Sequence, residues 1–103
     1  VGKADALHKL GEVYEASGDK SKARDFYGQS LHHWQAMGKK REEAHILNHL
    51  GAIHSDLGEK REALDYYQKA LQASRAAKAS DEEAIALKRI GQLSPEADVK
   101  QKN

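Results

Sequence analysis

The sequence contains no cysteine and one proline, and aromatic residues make up only 6% of it. Without cysteine, neither a disulfide framework nor a cysteine-based zinc site is available. The shortage of aromatic residues argues against a β-sandwich, whose strands favour aromatic and β-branched side chains. Alanine, leucine, lysine and glutamate are abundant instead. Because these residues lose little conformational freedom in a helix, the composition favours a helical fold.

The sequence also has no long apolar run and no excess of charge of one sign. Without an apolar stretch long enough to cross a bilayer, we expect no membrane partner. The 17 basic and 16 acidic residues are spread evenly along the chain, so we expect no nucleic-acid partner. The length of 103 residues allows one small domain. A cytoplasmic location is the default expectation.

Apolar and small residues recur at intervals of three and four along most of the chain, which is typical of amphipathic helices. This spacing predicts five helices, over residues 3–16, 20–37, 40–57, 60–77 and 80–93. Asp19 is expected to cap the second helix, and Ser80 with Glu83 matches a capping box for the fifth. Short turns between facing apolar stripes predict antiparallel helix hairpins. Ser94 and Pro95 end the pattern.

An internal repeat of 40 residues organises the sequence. Leu7, Leu47 and Leu87 are evenly spaced. The same interval relates three further sets of residues: Ala4, Ala44 and Ala84; Gly11, Gly51 and Gly91; and Leu10, Leu50 and Ile90. We therefore predict one repeat domain over residues 1–93, with full units at 1–40 and 41–80 and a half unit at 81–93. A flexible tail is expected over residues 94–103.

Small residues recur in phase with large ones, which indicates close helix contacts. Gly11 and Gly51 are expected to remove a side chain where the first helix of a unit meets the second, with Tyr27 and Tyr67 filling the space beside them. A glycine within a helix costs about 1 kcal/mol relative to alanine, so its recurrence implies a compensating contact. Four leucines are expected to pack within and between the units: Leu7, Leu10, Leu47 and Leu50. Trp34 is expected to pack across the link between the units.

These positions resemble the tetratricopeptide repeat. The first copy of the motif consists of Leu7, Leu10, Gly11, Tyr14, Ala23, Tyr27 and Leu31, and the resemblance covers about residues 4–93. The unit is longer than the usual length of about 34 residues, and in this it resembles the Partner-of-Inscuteable/LGN adaptors and some bacterial repeat proteins. His54 replaces the aromatic residue of the second copy. HEAT repeats, the alternative, share the period but lack the set formed by Gly51, Ala63 and Tyr67.

The resemblance implies an all-α solenoid of antiparallel helix hairpins, with two full units and one extra helix. It further implies a non-catalytic scaffold or adaptor that binds a protein partner, as a peptide or a helix, in a concave groove formed by the first helices. The predicted groove residues are Asp5, His8, Lys9, Glu12, Glu15, His45, Asn48, His49, Ala52, Ser55, Lys88, Arg89 and Gln92. The competing interpretation of these positions is a solvated polar face.

The charge of this predicted groove changes along its length, from acidic at the first helix to basic at the third. Relatives that clamp a C-terminal carboxylate use lysine and asparagine there. His8 and Glu12 stand where those residues are expected, so we expect no carboxylate clamp.

A second function is suggested by the incomplete third unit. Because it lacks a second helix, Ala84, Leu87 and Ile90 are expected to expose an apolar side. A second molecule covering that side would produce a homodimer through the last helix.

The sequence offers no convincing enzyme or metal site. His45 and His49 have a spacing that lets two imidazoles share an ion, but no carboxylate is clearly placed as a third ligand, so we expect no metal and no cofactor. His54, Ser55 and Asp56 are adjacent on a helix and point about 100° apart. A catalytic triad needs converging side chains, so we expect no enzyme.

Overall fold

A computed structural model of the protein describes residues 2–94, and these form five α-helices without a strand. The helices are α1 (Gly2–Ala16), α2 (Lys20–Ala36), α3 (Lys40–Asp56), α4 (Lys60–Ala77) and α5 (Ser80–Leu93). The predicted all-α class is therefore confirmed. None of these helices is both long enough and apolar enough to cross a bilayer. The predicted tail, apart from Ser94, lies outside the described residues.

Each turn between helices contains one residue in the left-handed region, at intervals of 20 residues. Three of these are glycines, Gly18, Gly38 and Gly58, with φ of +88°, +68° and +82°. Glycine adopts this conformation without a steric penalty, which is why it commonly follows a helix. The fourth turn has Lys78 at φ +55°. Lys78 is the one non-glycine residue with positive φ within the described range.

The two predicted helix caps have different outcomes. Asp19 caps α2, and its Oδ1 accepts a hydrogen bond of 3.1 Å from the backbone N–H of Lys22. The prediction of a capping box at Ser80 is wrong, because Ala79 occupies the cap position and no side chain caps α5. The turn after α4 has only two residues, so Ser80 already belongs to the helix. The Glu83 carboxylate accepts a hydrogen bond of 3.0 Å from Nε of Arg75 instead.

The predicted glycine–tyrosine contacts are confirmed in both full units. A Cβ atom on Gly11 would lie 2.7 Å from the Tyr27 ring, and a Cβ atom on Gly51 would lie 2.7 Å from the Tyr67 ring. Both tyrosines are buried, so each glycine lets two helices approach across an aromatic ring. Gly91 has no such neighbour within 4 Å, because no helix within residues 2–94 follows α5.

The core between the two full units is formed by one face of α3. Ile46, Leu50 and Ile53 are buried there in one cluster with Trp34 of α2 and Ala4 of α1. The predicted packing of Trp34 between the units is thus confirmed. A second cluster joins α3, α4 and α5 and consists of Ala44, Leu47, Ala70, Ala73 and Ala86.

Both ends of the array expose apolar side chains. Leu10 is 40% exposed, whereas its equivalent Leu50 is 2% exposed. The prediction that Leu10 packs between units is therefore wrong, since no unit precedes α1 in the described part of the chain. At the other end Leu87 is 48% exposed, whereas Leu47 is 2% exposed. Within residues 2–94, no second helix covers Leu87 as α4 covers Leu47.

Candidate functional site

The first helices α1, α3 and α5 lie side by side and are joined by side-chain hydrogen bonds. His49 Nδ1 donates to Glu15 Oε1 at 3.1 Å, which links α3 to α1. His45 Nδ1 donates to Glu82 Oε2 at 2.9 Å, which links α3 to α5. Because carboxylates only accept hydrogen bonds, both imidazoles carry their proton on Nδ1. We call the surface along these three helices the first-helix groove.

Two adjacent hollows lie in the first-helix groove. The larger, of about 220 Å³, is lined by Glu15, His45, Asn48, His49, Ala52, Tyr67, Glu82, Ile85 and Arg89. The smaller, of about 190 Å³, is lined by Ala52, Ser55, Asp56, Tyr67, Arg89, Gln92 and Leu93. Ala52, Tyr67 and Arg89 belong to both. The hollows therefore combine apolar surface with a guanidinium group, carboxylates and imidazoles.

The structure brings together some of the predicted groove residues and leaves others apart. The hollows contain eight of them: Glu15, His45, Asn48, His49, Ala52, Ser55, Arg89 and Gln92. Asp5, Lys9, Glu12 and Lys88 are exposed on α1 and α5 outside the hollows, and His8 is half-buried beside His45.

Asn48 is buried and hydrogen-bonded within the protein, so it differs from the groove residues whose side chains are exposed. It is only 6% exposed. Its Nδ2 donates to the backbone oxygen of Glu82 at 3.1 Å and to Oε1 of Glu82 at 3.0 Å. Asn48 therefore holds α5 against α3, and its amide hydrogens are already bound.

Sequence reasoning missed three residues that line the larger hollow: Tyr67, Glu82 and Ile85. Tyr67 belongs to a second helix, and its ring reaches this side across the gap left by Gly51. The recurring glycine–tyrosine pair was the available signal. Glu82 and Ile85 line the hollow because of the way α5 packs against α3, and no sequence motif identifies them.

Tyr27 reaches the groove in the same way as Tyr67. Its hydroxyl donates to Glu15 Oε1 at 2.7 Å and lies 3.4 Å from Nδ1 of His49. Burial raises the pKa of Tyr27 well above its usual range, and the hydrogen bond to Glu15 raises it further. Burial also raises the pKa of Tyr67. Both phenols therefore stay protonated, and Tyr27 holds Glu15 in position as a donor.

A cluster of three histidines occupies the α1 side of the groove. The ring centroids of His8 and His45 are 5.1 Å apart, and those of His45 and His49 are 4.7 Å apart. Burial lowers the pKa of His8; the nearby Glu12 opposes this shift, while the two other histidines favour it. The lowered pKa favours a neutral His8 ring.

His54 and Asp56, which flank Ser55, contact different parts of the fold. His54 Nδ1 donates to Glu59 Oε1 at 2.5 Å, and its ring stacks on Tyr66 with centroids 5.0 Å apart. Asp56 accepts a hydrogen bond of 2.9 Å from Lys20. In the first unit Tyr14 stacks on Phe26 in the same way. His54 therefore serves as the packing aromatic of its repeat.

Comparison with known proteins agrees with this architecture. Family models described as tetratricopeptide repeat match residues 5–33 and residues 44–78. The chain belongs to the tetratricopeptide repeat family. The two matches fall on the hairpins α1–α2 and α3–α4. Tetratricopeptide repeats generally mediate protein–protein interaction and are typically not catalytic. The resemblance to the longer units of Partner-of-Inscuteable/LGN adaptors stays a prediction.

Among solved structures, the tetratricopeptide array is similar to the crystal structure of BtubC (BKLC) from P. vanneervenii. The TM-score is 0.78, and the match covers 91% of this chain at 23% sequence identity. At this identity the likeness shows the fold alone. The match spans 39% of the BtubC chain, well under half its length. No curated protein matches the chain.

Proposed function

We propose that the protein is a non-catalytic interaction module that binds a peptide or a partner helix in the first-helix groove. The observation that carries the proposal is the larger hollow, in which Tyr67, Ala52 and Ile85 provide apolar surface beside polar groups. Binding sites of this kind accept an apolar anchor and use a few polar groups to fix its orientation. Burial of one or two anchors there would supply most of the binding energy.

The charges along the groove define the chemistry of the expected ligand. On α1 the groove carries Asp5 and Glu12 beside Lys9, whereas on α5 it carries Lys88 and Arg89. The Glu82 carboxylate also lies on α5, but it is already bound by His45 and Asn48. A ligand with basic side chains over α1 and an acidic side chain over α5 is complementary to this arrangement. Arg89 lines both hollows, and its Nη1 donates to Gln92 at 3.1 Å. Its planar guanidinium suits a ligand carboxylate.

The test is a selection of peptides from a display library against the full chain, followed by measurement of Kd by fluorescence anisotropy. Arg89→Ala should weaken the selected peptides at least about tenfold, as expected for a binding anchor. Ala52→Arg should also weaken them, because the new side chain fills both hollows. Arg61→Ala is the matched control, since Arg61 is an exposed arginine on α4 outside the groove. Peptides that lose affinity with Arg61→Ala and keep it with Arg89→Ala would reject this site.

A second candidate function is self-association through α5. Ala84 and Leu87 are exposed there, and a Cβ atom on Gly91 would meet nothing within 4 Å. The equivalent residues of the first two units are covered by a second helix. In this alternative, α5 of a second copy covers the face and forms a homodimer.

Sedimentation velocity over a concentration series tests self-association. A dimer fraction that rises with concentration supports it, and Leu87→Glu should restore the monomer by placing a charge in the contact. Leu57→Glu is the control, because Leu57 is similarly exposed, at 44%, in the turn before α4. A wild-type chain that stays monomeric at the highest concentration excludes this candidate.

A further inference from the structure

Two side-chain pairs face each other between α1 and α3 in the first-helix groove. His8 and Glu12 are four residues apart on α1, and His45 and His49 are four residues apart on α3. Residues with this spacing lie on the same face of a helix. Four potential metal ligands are thus presented by two rigid elements. The sequence alone left the histidines of α3 without a carboxylate, and the fold brings Glu12 and a third histidine to them.

The distances suit a metal ion. One ring nitrogen from each of His8 and His45 and one carboxylate oxygen of Glu12 all lie within 4.8 Å of one another. Bonds from zinc to nitrogen or oxygen are about 2.0–2.2 Å long, so the ligands of a tetrahedral ion are about 3.4 Å apart. Rotation of the three side chains would have to close this difference when the ion binds. The His49 ring lies next to His45, with centroids 4.7 Å apart, but its nitrogen atoms do not belong to the set of ligand atoms within 4.8 Å of one another.

The nitrogen atoms have the lone pairs that a metal requires. Nε2 of His8 is buried and has no hydrogen-bond partner, although Glu12 Oε2 lies 3.4 Å away. In His45, Nδ1 donates to Glu82, so Nε2 keeps its lone pair. In His49, Nδ1 donates to Glu15, with the same result. A carboxylate that holds the remote nitrogen of an imidazole is the usual arrangement behind a zinc-ligating histidine.

We propose that His8, Glu12 and His45 bind a zinc ion between α1 and α3, with water completing its coordination. Imidazole and carboxylate donors without sulfur suit zinc and its neighbours copper and nickel. Because two of the ligands lie on α1 and one on α3, the bound ion would tie the first unit to the second. Glu82 would orient His45 from outside the ligand set. This inference does not depend on peptide binding.

The test is titration of zinc into the untagged full chain by isothermal calorimetry. We expect one site per chain, with affinity reduced at least about tenfold in His8→Ala, in His45→Ala and in Glu12→Gln, since even loss of an outer carboxylate commonly costs 10- to 100-fold. The matched control is the double variant His32→Ala and His33→Ala, since both histidines lie on α2 outside the cluster. This control should keep the site.

Thermal unfolding provides a second measurement. Zinc should raise the melting temperature of the wild-type chain and of the His32/His33 control, because an ion that binds only the folded state stabilises it. It should not raise the melting temperature of His45→Ala. Glu12 is exposed, so Glu12→Gln keeps the fold if a histidine variant does not. Zinc binding that is unchanged in Glu12→Gln and His45→Ala, or that is lost in the control, would overturn the proposal.

Discussion

At the scale of single residues, the same residue type has opposite effects at equivalent positions. Gly51 and Gly91 occupy equivalent positions 40 residues apart, Gly51 in the interior of α3 and Gly91 in the last turn of α5. At Gly51 a partner helix and the Tyr67 ring require the missing side chain, whereas no atom of the described residues lies within 4 Å of a Cβ atom placed on Gly91. The environment supplied by the rest of the array therefore decides what each glycine contributes to stability.

We predict that Gly51→Ala lowers the free energy of unfolding by about 1–3 kcal/mol, because its Cβ atom would overlap the Tyr67 ring. Gly91→Ala should raise this free energy by less than about 1 kcal/mol, because alanine favours the helix and meets no described neighbour, while the position in the last turn of α5 reduces the gain expected in a helix interior. Urea denaturation followed by circular dichroism measures both. Changes of the same sign in the two variants would contradict the assigned roles.

A second prediction concerns Lys78, which occupies the left-handed position filled by glycine in the three other turns. A side chain in this conformation costs about 1–2 kcal/mol. Lys78→Gly should therefore stabilise the protein by about 0.5–1 kcal/mol after the greater chain entropy of glycine is counted. Urea denaturation measures this gain. Lys78→Ala is the control that removes the same charge and retains the strain, and a similar gain there would assign the effect to charge.

At the scale of helices, α1 and α3 have related sequences but different surroundings. Ile53 is buried between the units, whereas its equivalent Val13 is 61% exposed. Nine of the 17 residues of α3 are buried, against three of the 15 residues of α1. A repeat sequence thus specifies the hairpin, and the position of the unit in the array determines which of its faces is covered.

A matched pair of leucines tests this difference. Leu50→Ala should lower the free energy of unfolding by about 2–5 kcal/mol, because it leaves a cavity between the units. Leu10→Ala should change it by less than about 1 kcal/mol, since Leu10 is partly exposed and no unit precedes it within residues 2–94. Chemical denaturation of the two variants gives the comparison. Equal losses would show that Leu10 is covered in solution.

The sequence was sufficient for features that depend on one hairpin. Helix spacing predicted the five helices, and the phased recurrence of glycine and tyrosine predicted the contacts of Gly11 with Tyr27. Features that depend on the angle between hairpins escaped prediction. Glu82 binds both His45 and Asn48 because α5 packs over α3, and no sequence interval encodes that crossing. The prediction of a cap at Ser80 was wrong for a local reason, because the turn after α4 consists of only two residues, Lys78 and Ala79.

At the scale of the whole molecule, α3 is the central element. It packs against α2, α4 and α5, and its side chains bond to Glu15 on one side and Glu82 on the other. In a linear array each unit is stabilised by its neighbours. Stability is therefore expected to be greatest at α3 and lower towards both ends.

We predict that amide hydrogen exchange is slowest in α3 and fastest among the helices in α5, which buries only Glu82 and Ala86 within its span. The reason is that exchange reports local opening, which is easiest where few side chains are buried. Mass spectrometry of peptic fragments measures the order. Slower exchange in α5 than in α3 would indicate that another surface covers α5.

The unlike composition of the two apolar ends has a consequence for symmetry. One end presents Leu10 and Val13 on α1, and the other presents Ala84 and Leu87 on α5. Contact between two α5 faces produces a closed dimer, because neither copy then has an α5 face left for further association. Contact between unlike ends is head-to-tail, and unless its rotation forms a ring it grows into an open filament. Light scattering separates these modes, because a dimer saturates at twice the monomer mass whereas a filament keeps lengthening with concentration.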